Sequence, residues 1–160
     1  MSNRVRAESE LLLELLNSSP IVDGTPTDEL RGAGADAWLR ARDIPGTAKS
    51  ARELRDAIAA VIRGQQSAST LQHYLDSVRQ VPLVDDDGVQ WRTTGGGIAA
   101  RMVLAWSDHR DRIRPCENDA ECTLFLIDRS KANSRRWCSM TTCGNRLKAR
   151  RHHQRTTASR

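Results

Sequence analysis

All four cysteines of this 160-residue chain fall between Cys116 and Cys143, and the 115 residues before them contain none. Their spacing is C-x5-C, a gap of fifteen residues, then C-x4-C. Four thiolates about 2.3 Å from one ion form a closed tetrahedral shell, and the central gap falls in the zinc-ribbon range. Spacing alone leaves two disulfides or unrelated buried thiols as alternatives. The compartment bears on the choice, because cysteines grouped in a reducing environment hold metal more often than they cross-link. In the opening stretch "MSNRVRAESELLLELL", Glu8, Glu10 and Glu14 interrupt the leucines, which breaks a signal-peptide core and reads as an amphipathic helix. No apolar run reaches the roughly 18 residues of a membrane span. The chain reads as cytoplasmic, with no membrane partner.

The segment between the cysteine pairs favours metal. "TLFLID" and "SRRWC" read as strands joined by the polar turn "RSKAN", and a hairpin there would bring the pairs together. About 40 residues cannot build a sufficient core from Phe125, Leu126, Trp137 and Leu147, so ligation would supply much of the folding free energy. From Cys143 to Arg155 the chain is expected to be helical, with Cys143, Leu147 and Gln154 on one strip. Cysteine, hairpin, cysteine and helix together suggest a treble-clef-like finger with one structural zinc per chain, held by Cys116, Cys122, Cys138 and Cys143. Since no ligand precedes residue 116, the part before the finger is expected to fold without the metal.

Charge divides the chain in the same place. From Arg129 onward there are ten Arg or Lys and no Asp or Glu, whereas the first 128 residues hold 15 basic and 20 acidic side chains. A basic end on an acidic body points to an anionic partner for that end. Arg135, Arg136, Arg146, Lys148, Arg150, Arg151 and Arg155 are the candidate phosphate contacts. On the predicted helix Lys148, Arg151 and Arg155 share one flank, while Arg146, Arg150 and His153 share the other.

The rest reads as mostly helical. Ser50 and Glu53 form a capping-box pattern ahead of Ala51, Leu54, Ile58, Val61 and Ile62, with Gly64 as terminator. Shorter helical stripes are Leu71, Tyr74, Leu75 and Val78, and Ile98, Met102, Ala105 and Trp106. Ala35 to Arg42, carrying Trp38 and Leu39, is a further helix closed by Pro45 and Gly46. "VPLVDDDGVQW" predicts a short hairpin whose aspartates read as a solvated turn, and "TTGGG" reads as a flexible joint. The fold class is therefore a mainly α N-terminal domain with a short β-hairpin, residues 1–111, followed by a small finger of β-hairpin and helix, residues 112–160.

"CTLFLIDRSKANSRRWCSMTTCGNRLKARR" closely resembles the CGNR zinc-finger family, whose name is spelled here by Cys143, Gly144, Asn145 and Arg146. The likeness spans roughly Arg112 to Arg155. In that family the finger follows an ABATE domain, described as a stress-induced transcription regulator, and "LLLELLNSSP" and "DAWLRARDIP" look like a diffuse version of its opening. The resemblance implies DNA binding and transcription regulation. RNA binding, or an adaptor docking an acidic protein surface, are the alternatives. With four cysteines closing the shell and no general base beside it, the chain is expected not to be an enzyme. His73, His109, His152 and His153 are read as ordinary side chains. A homodimer, and an unidentified small ligand in the N-terminal domain, stay open.

Overall fold

Leu12, Leu15 and Leu16 recur at the three-and-four spacing of one helical face, and all three are at most 2% exposed on helix α1 (Asn3–Leu16). A computed structural model of the chain describes the backbone of residues 3–158 and the side chains of residues 6–150 and 154. After α1 come a small hairpin, β1 (Ile21–Val22) and β2 (Thr25–Pro26), and helix α2 (Ala35–Arg40), which buries Ala35 and Leu39. The first hairpin was not anticipated, although its turn carries a hairpin dipeptide: Asp23 and Gly24 both take positive φ, 50° and 77°.

Helix α3 (Ala48–Ile62) buries Ala51, Leu54 and Ile58 as its stripe requires, but it starts earlier than the Ser50 and Glu53 pattern implied. Thr47 is the cap: its hydroxyl accepts the Ser50 amide at 3.1 Å, and the Ser50 hydroxyl accepts the Thr47 amide at 3.1 Å. Glu53 faces Lys49 instead, at 3.8 Å. A buried pair fixes the loop before α2 onto α3. Arg55 is 5% exposed, and its guanidinium forks onto the two Asp28 oxygens at 2.8 and 3.1 Å and reaches the Ser18 hydroxyl at 3.0 Å.

The Leu71 stripe forms a 3₁₀ helix (Ala68–Leu75) rather than an α-helix. Ser67 sets the tighter winding, since its carbonyl accepts the Thr70 amide at 3.1 Å and the Thr70 hydroxyl at 2.7 Å. The predicted hairpin is present and longer than expected, with β3 (Arg79–Asp85) antiparallel to β4 (Gly88–Thr94) around a loop of Asp86 and Asp87. Helix α4 (Ile98–Asp108) then buries Ala100, Met102, Val103 and Ala105.

The glycines between β4 and α4 form a constrained turn, which corrects the flexible joint. Gly95 has φ +71°, and a Cβ there would lie 2.2 Å from the Ser77 carbonyl oxygen. Gly95→Ala is expected to cost about 1–3 kcal/mol in backbone strain, with the clash in addition. Denaturant unfolding of the variant measures this, and an unchanged midpoint would contradict it.

The hairpin expected between the two cysteine pairs does not form. Strand β6 (Phe125–Ile127) pairs with β5 (Ile113–Pro115), not with the Ser134–Cys138 segment, which forms no strand. Both edges of β6 are already taken. On the edge away from β5, the Asn17 side chain at the end of α1 accepts the Phe125 amide at 2.7 Å and donates to its carbonyl at 3.2 Å. Asp128 then turns the chain away, its carboxylate accepting the Ser130 amide at 2.8 Å and the Arg135 amide at 2.6 Å. Ile113, Phe125 and Ile127 join α1, α3 and α4 in one apolar cluster with Leu12, Ile58 and Met102.

Candidate metal centre

Cys116 extends β5, its amide donating to the Leu124 carbonyl at 2.8 Å, so the first cysteine is fixed by the β5–β6 ladder. The tie from the Glu121 amide to the Asn118 carbonyl, 3.0 Å, closes the intervening loop and returns Cys122 beside it. Thr123, next in sequence, is anchored to the helices: its hydroxyl donates to the Ser19 carbonyl at 2.8 Å, and its carbonyl accepts from Arg63 at 3.0 Å. The Glu117 amide donates to the Arg136 carbonyl at 3.0 Å, which draws Cys138 to the first pair.

Cys143 arrives on a wide π-helical turn (Met140–Gly144) that leads into helix α5 (Asn145–Ala158). Ser139 caps that turn by accepting the Thr142 amide at 3.3 Å. Gly144 lets Met140 and Trp137 close over the turn, since a Cβ would sit 2.6 Å from Met140 Sδ, which would have to shift, and 3.4 Å from the Trp137 ring. Asn145 donates to the Thr141 carbonyl at 3.2 Å.

The four sulfurs lie within 4.8 Å of one another, with Cys122 to Cys138 and Cys138 to Cys143 both at 3.6 Å. A regular tetrahedron with metal–sulfur bonds of about 2.3 Å has edges near 3.8 Å, whereas a disulfide brings two sulfurs to about 2.05 Å. All four thiols are unbridged. The donor set and its spacing therefore fit zinc. Among the described residues this is the one group of three or more His, Cys, Asp or Glu side chains placed to share an ion, and the hairpin aspartates form none.

Charge makes the same demand. Burial pushes the Cys122 thiol up to about 11, and burial followed by the neighbouring sulfurs drives Cys138 upward as well. Cys116 goes the other way: burial raises it, but the amides of Cys138 and Asn118 directed at its sulfur, together with hydrogen bonds from the Cys138 and Cys143 thiols, outweigh that and lower it. A cluster of this kind holds four thiolates together only with a cation at its centre, which deprotonates its ligands outright.

The seven basic candidates separate. Arg135 donates to the Trp137 carbonyl at 3.0 Å and to the Cys138 carbonyl, tying down the segment that carries the third ligand. Arg136 reaches both Glu117 oxygens at 2.7 Å, and its guanidinium lies 5.1 Å from the Trp137 ring centroid. Arg150 donates to Asn118 Oδ1 at 2.9 Å and to Glu121 at 3.2 Å, clamping α5 onto the loop between the first two cysteines. Arg146 and Lys148 are exposed and make no ion pair among the described residues. Arg151 and Arg155 lie on α5, but their side chains, like those of His152 and His153, are outside the described residues. Cys143 and Leu147 are buried at 4% and 8%, as the strip required, whereas Gln154 is exposed. His73 is exposed, with Nδ1 3.0 Å from the Thr70 carbonyl, and His109 is buried.

Glu117 and Glu121 were missed by the sequence reading. Their place between the first two cysteines, facing a segment rich in arginine, was the available signal.

Two family models match the sequence. The CGNR zinc finger matches residues 112–156, and ABATE, described as "putative stress-induced transcription regulator", matches residues 9–123. No curated protein matches the chain. Among the described residues no helix is long and apolar enough to cross a membrane.

Proposed function

Because the chain belongs to the ABATE family and carries a CGNR zinc finger, we propose that it is a non-catalytic, zinc-dependent DNA-binding regulator. One zinc per chain sits in the four-cysteine shell and fixes the root of α5, and the cationic side of α5 lies along phosphates. The finger is treble-clef-like: a cysteine loop, the β5–β6 pair, and a helix whose leading turn supplies the last ligand. The observation that carries this reading is the placement of Cys143 in the turn that starts α5, so that ligation orients a helix bearing cations and no carboxylate.

This arrangement grips backbone charge and does not by itself read bases, since arginine and lysine contact phosphate more often than base edges. In a titration against duplex DNA, RNA and an acidic polypeptide, the full chain is expected to favour duplex DNA, with affinity falling linearly in log salt. Equal binding to the polypeptide would favour the adaptor reading, and preference for RNA would change the partner.

A further inference from the structure

A small pocket opens where the core helices converge, a common place for a ligand in a helical fold. Its floor is Leu15 of α1, Ile44 just before α3, Ala51 and Leu54 of α3, and Met102 of α4, all apolar and buried. Half-buried Ala99 forms part of the wall, and Ser50, Glu53 and Tyr74 stand toward the opening. The volume is about 120 Å³. That is near the roughly 150 Å³ of an apolar cavity that stays dry and takes up benzene. The side chains of the floor offer water no partner, so an apolar group displaces it readily.

The opening narrows the chemistry further. The Ser50 hydroxyl is already engaged, donating to the Thr47 carbonyl at 2.8 Å. The Tyr74 hydroxyl has no hydrogen bond among the described residues, and burial followed by the Glu53 charge pushes its pKa up, so it stays protonated. The exposed Glu53 carboxylate holds Lys49 only loosely, at 3.8 Å. Tyr74 can therefore donate and Glu53 can accept. A hydroxyl answers both, whereas an ammonium has no lone pair to offer and a carboxylate would be repelled by Glu53. We propose that this pocket binds a small monocyclic alcohol or phenol, its ring on the apolar floor and its hydroxyl between Tyr74 and Glu53. The floor belongs to the apolar cluster that also contains Phe125 and Ile127, so a ligand there stabilises the packing on which the metal centre rests. Such a ligand binds the helical core whether or not α5 meets DNA.

Calorimetric titration of the full-length, zinc-loaded protein with phenol and with benzene tests this. Phenol is expected to bind saturably at one site per chain and about tenfold tighter than benzene, since a hydrogen bond to a charged group contributes on that order. Tyr74→Phe should weaken phenol and leave benzene unchanged. Ala99→Leu, whose longer side chain occupies the pocket from its wall, should remove both. Excess phenol should raise the unfolding midpoint of the unaltered chain by mass action and leave that of Ala99→Leu where it was. If Ala99→Leu does not fold, the comparison of phenol with benzene on Tyr74→Phe still decides. No saturable binding of phenol at millimolar concentration, phenol no tighter than benzene, or phenol affinity unchanged in folded Tyr74→Phe or Ala99→Leu would each overturn the proposal.

Discussion

Cys138→Ser is expected to release the zinc and destabilise the chain well beyond the finger. The apparent contribution of zinc in small fingers is about 10–16 kcal/mol at neutral pH, as large as the roughly 5–15 kcal/mol that holds a whole domain together. A three-sulfur remnant keeps only part of it. From sequence, the part before residue 116 was expected to fold without the metal, but the packing argues against that independence. Phe125 and Ile127 lie between the second and third ligands and are 2% and 4% exposed within the cluster built by α1, α3 and α4. Asn17, the residue after α1, is bonded to both polar backbone atoms of Phe125, and the guanidinium of Arg63, the residue after α3, lies 4.2 Å from its ring centroid. Losing the finger would open the floor of the helical core. Metal analysis should find about one zinc in the unaltered protein and little in the variant. Chelator added to the unaltered protein should lower its unfolding midpoint to that of the variant. Full zinc retention by the variant, or a chelator-insensitive unaltered chain, would contradict the assignment.

What was legible in the sequence was whatever neighbouring residues decide. The stripes of α3 and α4, the β3–β4 turn and the cysteine spacing depend on residues within a few positions of one another, and each recurs in the structure near its expected place. The pairing of β6 was not legible in this way. Its free edge is satisfied by Asn17, which stands 108 residues earlier, and this leaves Ser134 to Cys138 no strand to join. The Arg55–Asp28 pair is equally non-local, and nothing in the stripe of α3 distinguishes Arg55 from a solvated arginine. Among the basic residues, composition gave the sign of the field but not the division of labour. Arg135, Arg136 and Arg150 are drawn into holding the cysteine loops together, a use of charge that counting cannot separate from phosphate binding.

On the proposed DNA-binding reading, that division decides which side of α5 would face phosphate. Lys148, Arg151 and Arg155 follow one another at spacings of three and four and so fall on one flank of the helix, at about 100° per residue. Arg146 and Arg150 lie on the other flank, where carboxylates stand close. Arg150 is bonded to Glu121, and Arg146 lines a groove with Asp23 and Glu121. Phosphate would be repelled there and would have to displace an existing partner, whereas Lys148 is exposed with no ion pair among the described residues. Replacing Lys148, Arg151 and Arg155 together by Ala should leave zinc content and unfolding unchanged yet weaken duplex binding. If all three touch phosphate, the slope of log affinity against log salt should become shallower by about 2.7, at about 0.9 per contact. Arg150→Ala should do the reverse: it loosens the clamp between α5 and the cysteine loop, lowering the unfolding midpoint, while a folded sample keeps its salt slope. If the triple variant is folded and its slope is unchanged, the Lys148 flank is excluded. If Arg150→Ala alone flattens the slope, the flank facing Glu121 is the one that meets phosphate.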